Sequence, residues 1–89
     1  MSAYRVEFTA RALKALKRID RTQAGFIMAW IHKRLMGCSD PRLSGKALTG
    51  DKKGYWRYRV GVYRIIADID DSVVTVTIVT VGHRRDVYD

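Results

Sequence analysis

Apolar residues in the first third of the chain recur at helical spacing. From Ala10 to Asp20, the positions Ala12, Leu13, Leu16 and Ile19 fall on one face, and Thr9 is placed to cap the start. A second helix is predicted from Asp20 or Thr22 to about Gly37. Its apolar stripe is Ala24, Ile27, Met28, Ile31 and Leu35, with Pro41 beyond its end. The connection is so short that the two helices should form an antiparallel hairpin. Phe26 and Trp30 sit off that stripe, where packing under a neighbouring strand is favoured over a protein-partner surface. Strand-like runs occupy the rest: Ala3 to Phe8, Tyr55 to Val60, Val62 to Ile69 and Val73 to Val81. Between them, Ser39 to Gly54 reads as one long loop punctuated by Pro41, Gly45, Gly50 and Gly54. The predicted architecture is α+β in the order β-α-α-β-β-β, forming one domain over residues 1–89. The helical hairpin packs on one face of a small, mainly antiparallel twisted sheet.

Size and charge narrow this picture. The 89 residues allow one modest core, with roughly 60–65% of the unfolded surface buried. Mean hydropathy is −0.20, and no apolar run is long enough for a membrane helix. The N-terminus has no signal-peptide pattern. Cys38 is alone, so no internal disulfide can form, and a reducing cytoplasm is the expected setting. It has no obvious base partner nearby and reads as an incidental thiol. The net charge is +8, which favours a polyanionic partner. The excess is local. From Arg42 to Arg64 there are seven basic residues (Arg42, Lys46, Lys52, Lys53, Arg57, Arg59, Arg64) against one acid, Asp51. Arg11, Lys14, Arg18 and Arg21 step 3, 4 and 3 along the first helix and its end, giving a separate basic stripe.

Strand parity sorts the arginines. Trp56, Tyr58 and Val60 share one face of their strand, and Arg57 and Arg59 share the other. Burying two guanidiniums under the helices is costly, so the aromatic set should face the core. In the next strand Tyr63, Ile65, Ala67 and Ile69 form the apolar set, with Arg64 and Ile66 opposite. Arg57, Arg59 and Arg64 are therefore expected on the open face. Arg84 and Tyr88 can fold over its rim, and Lys46, Lys52 and Lys53 can border it. Clustered guanidiniums beside an aromatic ring suit phosphate and nucleobase. Arg85 and Asp86 read as surface residues.

Several segments together resemble the RelE/ParE superfamily of toxins, in its RelE branch of messenger-RNA interferases. They are Phe8-Thr9-Ala10-Arg11-Ala12-Leu13-Lys14, Leu48-Thr49-Gly50, Trp56-Arg57-Tyr58-Arg59-Val60-Gly61, Tyr63-Arg64-Ile65-Ile66 and Val81-Gly82-His83-Arg84-Arg85-Asp86-Val87-Tyr88. The resemblance spans nearly the whole chain and implies a RelE-like fold. It also implies the toxin of a type II toxin–antitoxin system, a ribosome-dependent endoribonuclease that cuts translated messenger in the A site and so inhibits translation under stress. The implied partners are an acidic RelB-like antitoxin, the ribosome with its 16S rRNA, the messenger, and operator DNA for the toxin–antitoxin complex only. No membrane partner and no cofactor are implied. Carried over by motif, the catalytic set is Arg59, Arg64, Arg84 and Tyr88. Arg57, Lys46, Lys52, Lys53 and His83 are RNA-binding residues. The family pattern has lysines where Arg57, Arg59 and His83 stand here.

Attack of a ribose 2′-hydroxyl on its own 3′-phosphate needs a base, stabilisation of the phosphorane and protonation of the leaving 5′-oxygen. Histidine or carboxylate pairs usually supply the proton transfers. This pocket has none unless His83 turns inward, and arginine is effectively always protonated. Arginine acts instead by electrostatics. Arg64 is assigned to the pentavalent phosphate and Arg84 to the leaving oxygen. Arg59 and Arg57 hold the phosphate and help the 2′-hydroxyl lose its proton. Tyr88 stacks on a base or orients the hydroxyl. A pocket without a good base depends on imposed in-line geometry, which the ribosome can supply. His32 and His83 lie far apart in sequence, and no cluster has metal-ligand spacing, so no metal is expected. Two alternatives remain at this point: a ParE-type inhibitor of DNA gyrase on the same fold, and an RNA-binding module without catalysis.

Overall fold

The computed structural model describes residues 3–50 and 54–85. Lys52, Lys53 and Tyr88 lie outside the described residues. The elements run β1 (Arg5–Phe8), α1 (Ala10–Arg18), α2 (Arg21–Arg34), β2 (Lys46–Ala47), β3 (Trp56–Val60), β4 (Tyr63–Asp70) and β5 (Thr75–His83). They build one five-stranded sheet in the order β1-β5-β4-β3-β2. β1 pairs in parallel with β5, and every other pairing is antiparallel.

The α+β expectation holds, with one strand added. Lys46–Ala47 pairs with Arg57 and Trp56 and forms the far edge of the sheet, inside the segment predicted as loop. A two-residue strand shows no alternation to read in sequence; its partner strand and the local backbone create it. Gly45 makes the approach possible. Its φ is +85°, and a Cβ there would meet the carbonyl oxygen of Arg57, with the indole Nε1 of Trp56 2.6 Å away. Only glycine fits both the left-handed backbone and the contact.

Thr9 caps α1 as its position suggested. Its Oγ1 accepts from the Ala12 amide at 3.0 Å and donates to the Val79 carbonyl at 2.7 Å. One hydroxyl thus satisfies a helix-end donor and ties α1 to β5. Asp20 caps α2 through Oδ2, accepting from the Thr22 and Gln23 amides.

The core forms where these elements face each other. Ala12 comes from α1, and Ile27, Ile31 and Leu35 from α2. The sheet contributes Tyr58, Ile65, Ala67, Val76, Ile78 and Val81. Trp30 packs against this cluster, with its ring 5.3 Å from that of Tyr58. Phe26 does not: it is 62% exposed, contrary to the expectation of packing. Met28 of the predicted stripe is also exposed. Both sit at the margins of a buried stripe reduced to Ile27, Ile31 and Leu35, so the sheet covers a narrower face of α2 than the sequence suggests.

The long loop is tied down from beneath. Tyr58, fully buried, donates its hydroxyl to the Pro41 carbonyl at 2.6 Å, and Trp56 Nε1 donates to the Ser44 carbonyl at 2.7 Å. Arg42 reaches Asp71 in the β4–β5 turn at 3.0 Å, and Tyr4 donates to the same carboxylate at 2.6 Å. These anchors set the loop's exit and hence the place of β2.

Candidate phosphate-binding site

Register fixes the arginines on one side of the sheet. Arg59 lies directly across from Arg64 on the β3–β4 ladder, and Arg57 lies across from Ile66. Directly opposed residues share a face. On the other side of β4, Gly82 pairs with Arg64 and Thr80 with Ile66. Lys46 lies directly across from Arg57. One rung of the sheet therefore reads Arg59, Arg64, Gly82, and the next reads Lys46, Arg57, Ile66, Thr80. Gly82 adds no side chain to the rung beside Arg64.

The face is not uniformly open as expected. Arg59 is exposed and Arg64 partly so, but Arg57 is only 8% exposed. Ile66, across from it, is buried too, as is Leu48, whose amide donates to the Tyr55 carbonyl just beyond the β2–β3 pairing. Arg57 keeps the predicted face and loses the predicted exposure. Its place suits a support for the site better than a solvent-facing ligand.

Arg84 is exposed just beyond β5. Its amide donates to the Val62 carbonyl at 2.8 Å, extending the β4–β5 ladder past Tyr63 and His83. Arg84 lies in the turn two residues past Gly82, the register partner of Arg64. His83 goes the other way. It pairs with Tyr63, on the helix side of the sheet, and the two rings meet edge-on at 5.9 Å. Its Nδ1 accepts from the Arg85 amide at 3.2 Å. In the neutral ring that contact puts the proton on Nε2. His83 thus flanks the arginines across the sheet end and does not join them.

A β-bulge shapes the ground beside the site. Pairing passes from Ile66/Thr80 to Ala67/Ile78, so Val79 is the extra residue. The bulge lets Ile78 and Val81 both face the core while Thr80 and Gly82 face the arginine side. β1 also ends here, since its register stops at Phe8/Ile78. Past that point α1 runs alongside β5. A cleft of about 870 Å³ opens between them, lined by Arg11, Lys14 and Arg18 of α1, by Thr80, Gly82 and His83 of β5, and by Ile66, Leu48 and Tyr55. Strand alternation could not reveal this cleft; it exists because one strand stops while its neighbour continues.

Cys38 is partly buried, and burial together with Asp40 pushes its thiol pKa up. A nucleophilic cysteine needs the opposite shift. Among the described residues, no helix is long and apolar enough to cross a membrane.

Known proteins give the arrangement its family. Residues 6–88 match the profile of the ParE toxin of the type II toxin–antitoxin system parDE. Toxin RelG of Mycobacterium tuberculosis is 32% identical over 85 residues, spanning 96% of this chain and 95% of that protein. The toxin–antitoxin complex RelBE2 of the same organism contains a chain 30% identical with a TM-score of 0.83, covering 92% of this chain and 99% of that one. The isolated RelE toxin of E. coli shares the fold at 24% identity, with a TM-score of 0.72 over 91% of this chain and 84% of that one. The chain therefore belongs to the RelE/ParE family of type II toxin–antitoxin toxins.

Proposed function

We propose that this toxin is a metal-independent endoribonuclease that cuts messenger in the ribosomal A site. The observation that carries the reading is the direct opposition of Arg59 and Arg64 on one ladder rung, with Arg84 exposed two residues past Gly82, the register partner of Arg64. Like charges directly opposite weaken a sheet. An RNA phosphate between them converts that cost into binding, and doubly so for a phosphorane, which carries more negative charge.

In this mechanism the ribose 2′-oxygen attacks the adjacent 3′-phosphorus in line with the departing 5′-oxygen. The new P–O bond forms as the P–O5′ bond breaks, leaving a 2′,3′-cyclic phosphate and a 5′-hydroxyl. Arg64 and Arg59 neutralise the equatorial oxygens, Arg84 stabilises the leaving oxygen, and Tyr88 stacks on a base or orients the 2′-hydroxyl. The 2′-proton and the proton gained by the 5′-oxygen exchange with water, since arginine holds its own. Lys46 and Arg57 support the phosphate from the next rung, with Lys52 and Lys53 adding positive charge along the loop. His83, across the sheet end, contacts the RNA strand as it leaves. The rung of Arg59, Arg64 and Gly82 offers no histidine or carboxylate, which makes positioning by the ribosome the chief source of rate.

The same charge calls for masking in the cytoplasm. An acidic antitoxin of the RelB type, like the partner in the RelBE2 complex, would cover the basic face. Together the two would bind operator DNA.

Expression of the toxin without antitoxin tests this reading. Translation should stop, and messenger ends should map inside translated codons. Intact messenger accompanied by gyrase-linked DNA breaks would refute it in favour of gyrase inhibition. RNA binding without cuts would refute the catalytic step.

A further inference from the structure

The basic stripe of α1 has no part in the mechanism above, yet it lines the same cleft as Gly82. We infer that Arg11, Lys14 and Arg18 form a second RNA subsite, which holds the backbone of the nucleotides flanking the scissile phosphate while Tyr55 offers a stacking surface. The inference rests on the proposed nuclease reading for its substrate and extends the site along the strand.

Three observations support it. The three cations are exposed and step by three and four residues, so they project from one face of α1. From Arg11 to Arg18 they span about 10.5 Å of helix. A stacked strand advances roughly 3.4 Å per phosphate, so about three phosphates fit alongside. Second, the cleft is continuous with the arginine rung: Gly82, which lines it, is the register partner of Arg64. A strand with its phosphate at Arg59 and Arg64 therefore has Gly82 of the cleft beside it. Third, the cleft joins cations to an exposed ring, Tyr55, which is 37% accessible. Among the described residues that line it, the one acid, Asp20, is engaged in capping α2. Cations that track a backbone beside an aromatic face are the combination that grips single strands without reading sequence.

The test uses full-length toxin and 2′-O-methyl oligouridines, which cannot be cut. Affinities for a trimer and a nonamer are measured by fluorescence anisotropy across salt concentrations. The comparison is wild type against the triple variant Arg11→Gln, Lys14→Gln, Arg18→Gln, with circular dichroism to verify folding. The nonamer should bind wild type more tightly than the trimer. The variant should lose about tenfold on the nonamer, its logarithmic salt slope should fall by about two, and its trimer affinity should not change. A variant with Arg11→Lys and Arg18→Lys should keep the wild-type slope. Equal nonamer affinity in wild type and triple variant overturns the inference, as does equal loss on both lengths. Unchanged RNA affinity with lost binding of a polyglutamate peptide also overturns it and assigns the stripe to an acidic protein segment. The two readings fail separately. Stripe-dependent nonamer binding in a protein that never cuts messenger removes the nuclease and leaves this subsite. Normal cutting and binding by the triple variant does the reverse.

Discussion

Replacing Gly45 with alanine should destabilise the toxin well beyond the cost of the same change at Gly37. Both glycines have positive φ, +85° and +76°. At Gly37 nothing lies within 4 Å of the new Cβ, whereas at Gly45 the methyl meets the Arg57 carbonyl and the Trp56 indole nitrogen. The left-handed backbone costs an alanine about 1–2 kcal/mol at either site, offset by about 0.4–1 kcal/mol from the stiffer unfolded chain. Gly37→Ala should therefore cost about 1 kcal/mol. Gly45→Ala adds a backbone clash, for which overpacking data suggest about 1–3 kcal/mol. It also strains the Trp56–Ser44 hydrogen bond, worth about 1 kcal/mol. The difference between the two variants should be about 2–4 kcal/mol, a large share of the roughly 4–13 kcal/mol expected for a chain of this size. Urea unfolding followed by tryptophan fluorescence measures both. Equal costs within about 0.5 kcal/mol would refute the claim that Gly45 is required for β2 to approach β3. Gly45→Ala should also weaken toxicity, because Lys46 then leaves its register with Arg57.

Other consequences follow from named contacts. Thr9→Ala should cost about 1–2 kcal/mol in chemical denaturation, since the hydroxyl both caps α1 and binds Val79, and Thr9→Ser should recover most of it. Burial pushes the Tyr58 phenol well above its usual value. A raised folded pKa gives stability that is complete below the unfolded value near 10 and is lost as pH rises past it. Tyr58→Phe should flatten that alkaline decline of the thermal midpoint while costing about 1 kcal/mol at neutral pH for the lost Pro41 bond. Hydrogen bonds from Arg42 and Tyr4 hold the Asp71 carboxyl below the usual carboxylate range. That depressed pKa stabilises the fold above the unfolded value and is lost as pH falls through the folded one. Asp71→Asn should accordingly remove part of the wild-type drop in urea midpoint between about pH 5 and 3.

Sequence carried much of this architecture because alternation and helical spacing are local. The separation of Arg59 and Arg64 from Tyr58 and Ile65 could be read by parity, since β3 and the first half of β4 run without irregularity. The same reasoning gave Arg57 its face but not its burial, which depends on tertiary packing at this end of the sheet, where Leu48 and Ile66 are buried too. Trp30 and Phe26 looked equivalent from spacing, yet only Trp30 meets Tyr58. The cleft depends on where β1 stops and on the bulge at Val79. Both are tertiary events, and a run as regular as Val73 to Val81 gives no sign of them. The basic stripe on α1 was visible in sequence, but nothing local placed it beside Gly82.

If the opposed Arg59 and Arg64 promote attack by a 2′-hydroxyl, cutting must depend on that hydroxyl and on the arginines. A purified translation system with one defined A-site codon tests it most directly, comparing all-ribose messenger with messenger carrying a single 2′-deoxynucleotide at the scissile position. Wild-type toxin should cut the first, leave a 2′,3′-cyclic phosphate and spare the second, while Arg64→Ala and Arg84→Ala, both still folded, should cut neither. Cleavage of the deoxy messenger, or full cutting by both arginine variants, would rule out this chemistry.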